Sequence, residues 1–171
     1  RRVPRARCLS HLEIAVEAKA GLKRPVKVAR SATRELKSFK LVIAYRGSRY
    51  KGWQKQAKSG GPKTVQEMLE KAARKVLRQR RVVIHGSGRT DSGVHARAQV
   101  AHMRVAADLP AKVLVKAINA HLPEDIRVVS LEECPREFHS QLDATAKTYR
   151  YFILNTLPGS EPIQWPFLHP Y

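Results

Sequence analysis

The segment from Thr64 to Gln79 constrains the fold more than any other, because apolar residues recur in it at helical spacing. Thr64 is followed three residues later by Glu67, which is the pattern of a capping box at a helix start. The pattern predicts an amphipathic helix over about residues 65–79 with one face buried. The apolar face consists of Val65, Met68, Leu69, Ala72, Ala73, Val76 and Leu77.

Strand patterns flank this helix on both sides. The run FKLVIAY at residues 39–45 is apolar and rich in β-branched residues, which is typical of a buried strand. The order strand, helix, strand, strand, helix, strand, strand is close to the plan of ferredoxin-like or RRM-like domains. We therefore predict an α+β fold in which residues 39–155 form one antiparallel sheet with the helices on one face. The remaining predicted elements are strands at 82–84, 99–105, 126–131 and 147–154 and a second helix at 111–120.

Net charge points to a polyanionic partner. The 171 residues include 33 Lys and Arg against 14 Asp and Glu, a formal net charge of +19. A basic tail or a membrane-surface role would also raise the charge, but here it is spread along the whole chain, which favours nucleic acid. No apolar run approaches the roughly 20 residues that a membrane-spanning helix needs.

The first 37 residues differ in composition from the rest. They carry eleven Lys and Arg against three Glu. Such a segment resembles an organellar transit peptide or an RNA-binding arm, and a solvated extension without a specific role fits equally well. We predict that residues 1–37 lie outside the domain, which then covers residues 38–171.

The chemically informative stretch is GSGRTDSGVHA at residues 86–96, a glycine-rich loop that places Arg89 and Asp91 two positions apart between two strands. Loops carried by a rigid sheet commonly hold catalytic groups. Taken alone, Thr-Asp-Ser-Gly is also an ordinary turn in which Asp caps its own backbone. The glycine spacing excludes the dinucleotide and P-loop patterns.

Four segments in order resemble one known family. GSGRTDSGVHARAQVAHM resembles the AGRTDAGVHAxGQV motif of the TruA-type tRNA pseudouridine synthases. YRGSRYKGWQKQ is similar to that family's YDGSxYxGWQxQ loop, TVQEMLEKA to its first helix and ATAKTYRYFI to its ATxRxYxY strand. The resemblance covers roughly residues 39–171 and implies an enzyme that flips a uridine out of structured RNA and isomerises it.

The resemblance implies three catalytic residues. Asp91 corresponds to the essential aspartate, whose carboxylate can serve as nucleophile or base at the ribose. Arg89 is expected to hold the displaced nucleotide and orient Asp91. Tyr149 is expected to stack on the uracil, although in isolation it would fit a cross-strand packing role. The reaction requires neither a cofactor nor a metal ion.

RNA contacts are expected from the loop after the first strand and from the motif strand. The loop is basic and aromatic, which suits RNA, although Trp53 fits the core equally well. His85, His95 and His102 surround the motif, but without Cys or acidic partners at ligand spacing they do not favour a metal site. The expected RNA-binding residues are Arg46, Arg49, Tyr50, Lys51, Trp53, Gln54, His95, Arg97 and Gln99.

The sequence departs from the family pattern at Arg46, where Asp is usual, at Ala98, where Gly is usual, and at Gln141, where Arg is expected. Family members continue into a second half that supplies a basic residue facing the aspartate, whereas this chain stops at WPFLHPY, where that half would begin. Two functions therefore stand: a pseudouridine synthase acting on tRNA, and a non-catalytic RNA-binding or ribosome-assembly factor on the same fold. Family analogy implies a homodimer. The GVHA form of the motif and the Arg-rich leader favour an organellar location, mitochondrial rather than cytoplasmic.

Overall fold

A computed structural model describes residues 11–18, 35–56 and 63–152 of the chain. In these ranges the strands are β1 (His11–Ala18), β2 (Lys37–Tyr45), β3 (Ile84–Gly86), β4 (His95–Val105), β5 (Ile126–Cys134) and β6 (Ala144–Phe152). The helices are α1 (Val65–Leu77) and α2 (Ala111–Asn119), and a 3-10 turn covers Gly47–Arg49.

The strands form one sheet in the order β5-β2-β4-β1-β6, and β3 pairs with β4 off this path. All pairs are antiparallel except β1 with β4. β4 is the centre of the sheet, because it pairs with β2 along its length, with β1 near its start and with β3 near its end. The predicted α+β fold with a mostly antiparallel sheet is confirmed.

Helix α1 confirms the capping pattern. The Thr64 hydroxyl accepts a hydrogen bond from the Glu67 backbone N–H at 3.3 Å. The helix ends at Leu77, two residues before the predicted end, because Arg78 adopts a left-handed conformation with φ of 53°. Of the predicted apolar face, Val65, Leu69, Ala72 and Ala73 are buried, and Met68, Val76 and Leu77 pack half-buried against the same core.

The predicted strands are present with shifted bounds. β4 begins at His95 rather than Gln99, so the strand reaches back almost to the motif loop. β3 covers Ile84–Gly86 instead of 82–84, and β5 continues to Cys134. β6 begins at Ala144, while residues 153–155 of the predicted sheet lie outside the described residues.

The N-terminal stretch contradicts the prediction that residues 1–37 lie outside the domain. Residues 11–18 form β1, which lies between β4 and β6 inside the sheet, and Lys37 is the first residue of β2. Pairing joins Ile14 to Ala96 of β4 and to Tyr149 of β6. The rest of the stretch, apart from residues 35 and 36, lies outside the described residues.

The two faces of the sheet are covered differently. Both helices and alternate residues of β2, including Phe39, Leu41 and Ile43, form the main core. On the other face the turn at residues 135–143 lies over β4, where Phe138 packs on Val100. No helix in the described part of the chain is long and apolar enough to span a membrane.

Candidate active site at the motif loop

The motif loop, residues 87–94, joins β3 to β4 and is held by backbone hydrogen bonds along its length. The Ser87 N–H donates to the Val100 carbonyl of β4 at 2.8 Å. The Trp53 N–H donates to the Thr90 carbonyl at 3.0 Å, so the loop at residues 46–56 closes over the motif loop. The Tyr45 hydroxyl and the Thr90 hydroxyl are hydrogen-bonded at 2.8 Å. Tyr45 and Trp53, which are distant from the motif loop in sequence, thus fix Thr90, the residue next to Asp91.

Gly52 allows this close approach. Its φ is +76°, a conformation that residues with a Cβ rarely adopt. A Cβ at this position would lie 2.4 Å from the Thr90 carbonyl oxygen, which is a backbone atom and cannot swing away. The glycine is therefore required for the two loops to dock backbone against backbone.

Asp91 and Arg89, the predicted catalytic pair, are both exposed on this loop. Within the described residues the Asp91 carboxylate makes no hydrogen bond or ion pair, and no ion pair joins it to Arg89. The motif loop thus presents an accessible carboxylate on a fixed backbone. That Arg89 orients Asp91 stays a prediction.

Tyr149, the third predicted catalytic residue, lies on β6 and is 44% exposed. It is near Tyr45: burial raises the pKa of the Tyr45 hydroxyl, and Tyr149 adds to this effect. Since Tyr45 holds Thr90, Tyr149 lies on the side of the sheet that carries the motif loop. β6 is connected to β4 only indirectly, because it pairs with β1 and β1 pairs with β4.

Three predicted RNA-binding side chains are buried. Tyr50 is 6% exposed and its hydroxyl donates to the Asp125 carboxylate, while Trp53 is 2% exposed and lies in the main core. Gln99 is fully buried, and its amide donates to the Gly88 carbonyl at 2.6 Å. Their burial argues against the predicted direct RNA contacts. These side chains instead hold the loops that surround Asp91.

The other predicted RNA-binding residues are accessible. Arg46, Arg49, Lys51 and Gln54 are exposed on the loop after β2, and the Arg49 guanidinium lies 3.7 Å from the Asp125 carboxylate. The last two, His95 and Arg97 at the start of β4, are half-buried. A basic surface therefore borders the motif loop.

A cavity of about 470 Å³ opens beside the motif loop. Its lining includes four basic or titratable side chains, His85, Arg89, His139 and Lys147. We call this cavity the basic pocket. Neither Asp91 nor Tyr149 lines it. Sequence reasoning did not assign His85, His139 or Lys147 to an RNA site. The sequence does hold a signal for Lys147. It lies two residues before Tyr149, and side chains two residues apart in a strand lie on the same face.

His102 lies under the basic pocket and ties its walls together. Its Nδ1 accepts a hydrogen bond from the Ser140 backbone N–H at 3.1 Å and lies 2.9 Å from the Ser140 hydroxyl. That hydroxyl donates to the His85 carbonyl at 2.8 Å. Burial, with smaller effects of His85 and His139, lowers the pKa of His102 to about 4. Among the described residues no group of His, Cys, Asp or Glu is arranged to hold a metal ion.

Comparison with known proteins identifies the family. The sequence model of the tRNA pseudouridine synthase family matches residues 41–143, which includes the motif loop and most of the described sheet. The chain belongs to the tRNA pseudouridine synthase family. Its TruA-type character agrees with the curated relatives, which are named tRNA pseudouridine synthase A.

The curated relatives are similar over most of this chain but are longer. The tRNA pseudouridine synthase A of Oleidesulfovibrio alaskensis is 45% identical over 141 residues, covering 77% of this chain and 49% of that protein. The tRNA pseudouridine synthase A 2 of Clostridium tetani is 41% identical over 133 residues, covering 78% of this chain and 52% of that protein. The chain spans about half the length of the curated relatives it matches.

The departures from the family pattern lie around the site. Arg46 is exposed at the start of the loop after β2, and Ala98 is half-buried in β4, paired with Ala15 of β1. Gln141 is exposed and lines the basic pocket. None of the three lies in the backbone contacts that hold Thr90.

Proposed function

We propose that this protein isomerises uridine to pseudouridine in tRNA, with Asp91 as the catalytic residue. The observation that carries the proposal is the exposed Asp91 carboxylate on a loop whose backbone is fixed from two sides. Membership of the tRNA pseudouridine synthase family supports it. The names of the curated relatives support tRNA as the substrate class.

The chemistry needs one positioned carboxylate. The bond between ribose C1′ and uracil N1 breaks, the uracil rotates, and a new bond joins C1′ to C5. The proton on C5 is lost and N1 gains one, so no oxidant and no added group is required. Asp91 acts at the ribose as nucleophile or as base. Its lack of a partner within the described residues leaves both roles open to it.

Substrate binding is assigned to the basic surface and to the aromatic side chain of β6. The target base must leave its stack, which costs a few kcal/mol, and contacts to the flipped nucleotide offset this cost. In the proposal Tyr149 stacks on the uracil and Arg89 holds the displaced nucleotide. Arg46, Arg49 and Lys51 contact phosphates.

Asp91→Asn tests the catalytic role in the full-length protein. We expect pseudouridine formation to fall by at least about 10²-fold, because the amide can neither attack nor take a proton. The Kd for tRNA should stay close to the wild-type value, since removing an anion does not weaken attraction to phosphates. Pseudouridine mapping of cellular RNA and a filter-binding Kd are the two measurements.

Glu124→Gln is the matched control, because Glu124 is another exposed carboxylate, placed in the turn before β5. It should leave both measurements at wild-type values. If the wild type binds RNA but no site loses pseudouridine in the Asp91 variant, the catalytic role is refuted. The alternative, a non-catalytic RNA-binding or ribosome-assembly factor, then takes its place.

The proposal extends to location and assembly. The GVHA form of the motif and the four Arg residues that precede β1 in the sequence support an organellar, specifically mitochondrial, location, and family analogy supports a homodimer. Imaging of the tagged full-length protein and its mass in solution test these two parts. A cytoplasmic signal or a monomeric mass would remove the corresponding part and leave the chemistry untouched.

A further inference from the structure

The basic pocket is built as an anion site. It concentrates Arg89, Lys147, His85 and His139 around one cavity, and within the described residues no carboxylate lines it. The volume of about 470 Å³ falls in the range of small-ligand pockets, about 300–1,000 Å³. A cavity of this size and charge accommodates a phosphate together with its sugar.

Carboxylates near the pocket are already engaged. Glu70, which is buried, accepts from the Gln66 amide at 3.1 Å and the Ile84 N–H at 3.3 Å, and Lys55 lies 3.5 Å away. Asp143 accepts from the His139 backbone N–H at 2.8 Å. Within the described residues no ion pair joins an acid to Arg89 or Lys147, so the cationic side chains of the lining remain available to an anion.

Contacts within the protein hold parts of the pocket wall in place without a ligand. Gly86 lies against the Trp53 indole, so close that a Cβ there would come within 2.6 Å of the ring. His139 Nδ1 accepts from the backbone N–H groups of Gln141 and Leu142 at 3.3 Å each, which leaves its Nε2 as the other polar atom of the ring. The Lys147 ammonium lies over Gly88, 3.2 Å from where a Cβ would be. Such preorganisation lowers the ordering cost of binding.

We propose that the basic pocket binds a backbone phosphodiester of the RNA, at a nucleotide neighbouring the uridine that Asp91 attacks. Lys147 supplies charge to the phosphate, and His85 and His139 supply ring N–H donors, while Arg89, which belongs to both the lining and the motif loop, holds the displaced nucleotide. The pocket adjoins the motif loop through Arg89 but excludes Asp91, so it holds a neighbour of the target and not the target itself. This inference rests on the proposed function, because it takes RNA as the ligand.

Phosphate-ethylation interference on tRNA tests the site without any turnover. Each tRNA molecule carries about one ethylated phosphate, and molecules that still bind the full-length protein are separated from those that do not. Ethylation of the phosphate that enters the pocket should prevent binding to the wild type. We expect that ethylation of the same phosphate no longer affects binding to Lys147→Gln. The slope of log K against log salt should become shallower by about one unit.

Matched variants distinguish charge in the pocket from charge elsewhere. Lys147→Arg should keep the wild-type interference pattern, and Lys112→Gln, which removes an exposed lysine on α2, should keep it as well. His139→Asn preserves a hydrogen-bond acceptor for the backbone N–H groups of the turn and should weaken the interference at the same phosphate. Circular dichroism confirms that each variant is folded.

The outcomes are separable. An interference pattern and salt slope in Lys147→Gln that match the wild type overturn the pocket assignment, whether or not the protein makes pseudouridine. If Lys147→Gln loses the interference at one phosphate but the wild type makes no pseudouridine, the pocket assignment is supported and the catalytic proposal is refuted. If the wild type does not bind tRNA at all, both proposals fall together.

Discussion

The two sides of the candidate site are held in different ways. The motif loop with Asp91 is enclosed by hydrogen bonds and buried side chains from β2, the following loop and β4. Strand β6 with Tyr149 pairs only with β1 among the described residues, and most of its side chains are exposed. The proposed catalytic residue Asp91 therefore lies on the side with more contacts, whereas the geometry between Asp91 and Tyr149 depends on one intervening strand.

The largest effect is expected on the side with more contacts, from Gly52→Ala. The added Cβ would lie 2.4 Å from the Thr90 carbonyl oxygen in a conformation with φ of +76°. We expect unfolding free energy to fall by about 2–4 kcal/mol, with loss of pseudouridine formation as the loops separate. Urea unfolding followed by fluorescence measures the first quantity.

Gly93→Ala is the matched control for this change. Gly93 also has positive φ, +83°, but nothing lies within 4 Å of its Cβ position. Its cost should be limited to conformational strain, about 1–2 kcal/mol. Equal losses in the two variants would show that loop docking contributes little at Gly52.

We expect the stability of the same side to depend on pH because of His102. The unfolded imidazole takes up a proton as pH falls through about 6.5, whereas the folded one does so only near 4. Between these values the unfolded state binds more protons, so stability falls as pH falls from about 6.5 to 4. The loss attributable to His102 should be on the order of 2–3 kcal/mol.

His102→Asn isolates this contribution, because the carboxylates that titrate in the same window are common to both proteins. The wild type should lose more stability than the variant between pH 6.5 and 4. Parallel stability curves would mean that His102 titrates alike in the folded and unfolded protein.

On the other side, Ile14→Pro should loosen β6 selectively. Proline removes one backbone donor from the middle of β1, and Ile14 pairs with both Ala96 and Tyr149. We expect a loss of about 1–2 kcal/mol and faster amide exchange in β6, with α1 and β2 unchanged. Uniform acceleration across the sheet would contradict the contrast between the two sides.

The smallest effect on stability is expected from Tyr149→Leu. Because Tyr149 is 44% exposed, its replacement should change unfolding free energy by less than about 0.5 kcal/mol. Pseudouridine formation should nevertheless fall, since leucine cannot stack on uracil in the same way. A loss of stability larger than that of Ile14→Pro would assign Tyr149 a packing role.

Local patterns in the sequence predicted the elements well but not the burial of the loops. Helix α1 could be predicted because Thr64 and the apolar spacing act within a few residues. The burial of Trp53 could not, because it depends on Gly86 and on docking against the motif loop, which composition does not encode. Strand β1 lies in an Arg-rich segment, and its partners are distant in sequence, so nothing local indicates its place in the sheet. The basic pocket likewise joins residues from three separate segments.

The position of β1 has a consequence for how the protein folds. Its partner Tyr149 lies at the far end of the described chain, so their pairing closes a long loop, with a correspondingly large entropy loss. The contacts among β2, α1, β3 and β4 are closer in sequence and can form earlier. During synthesis β1 emerges first, yet it has no β6 to pair with until nearly all described residues are made. The face that carries Asp91 can therefore assemble before Tyr149 arrives, and the site becomes complete only when the two ends of the described chain meet.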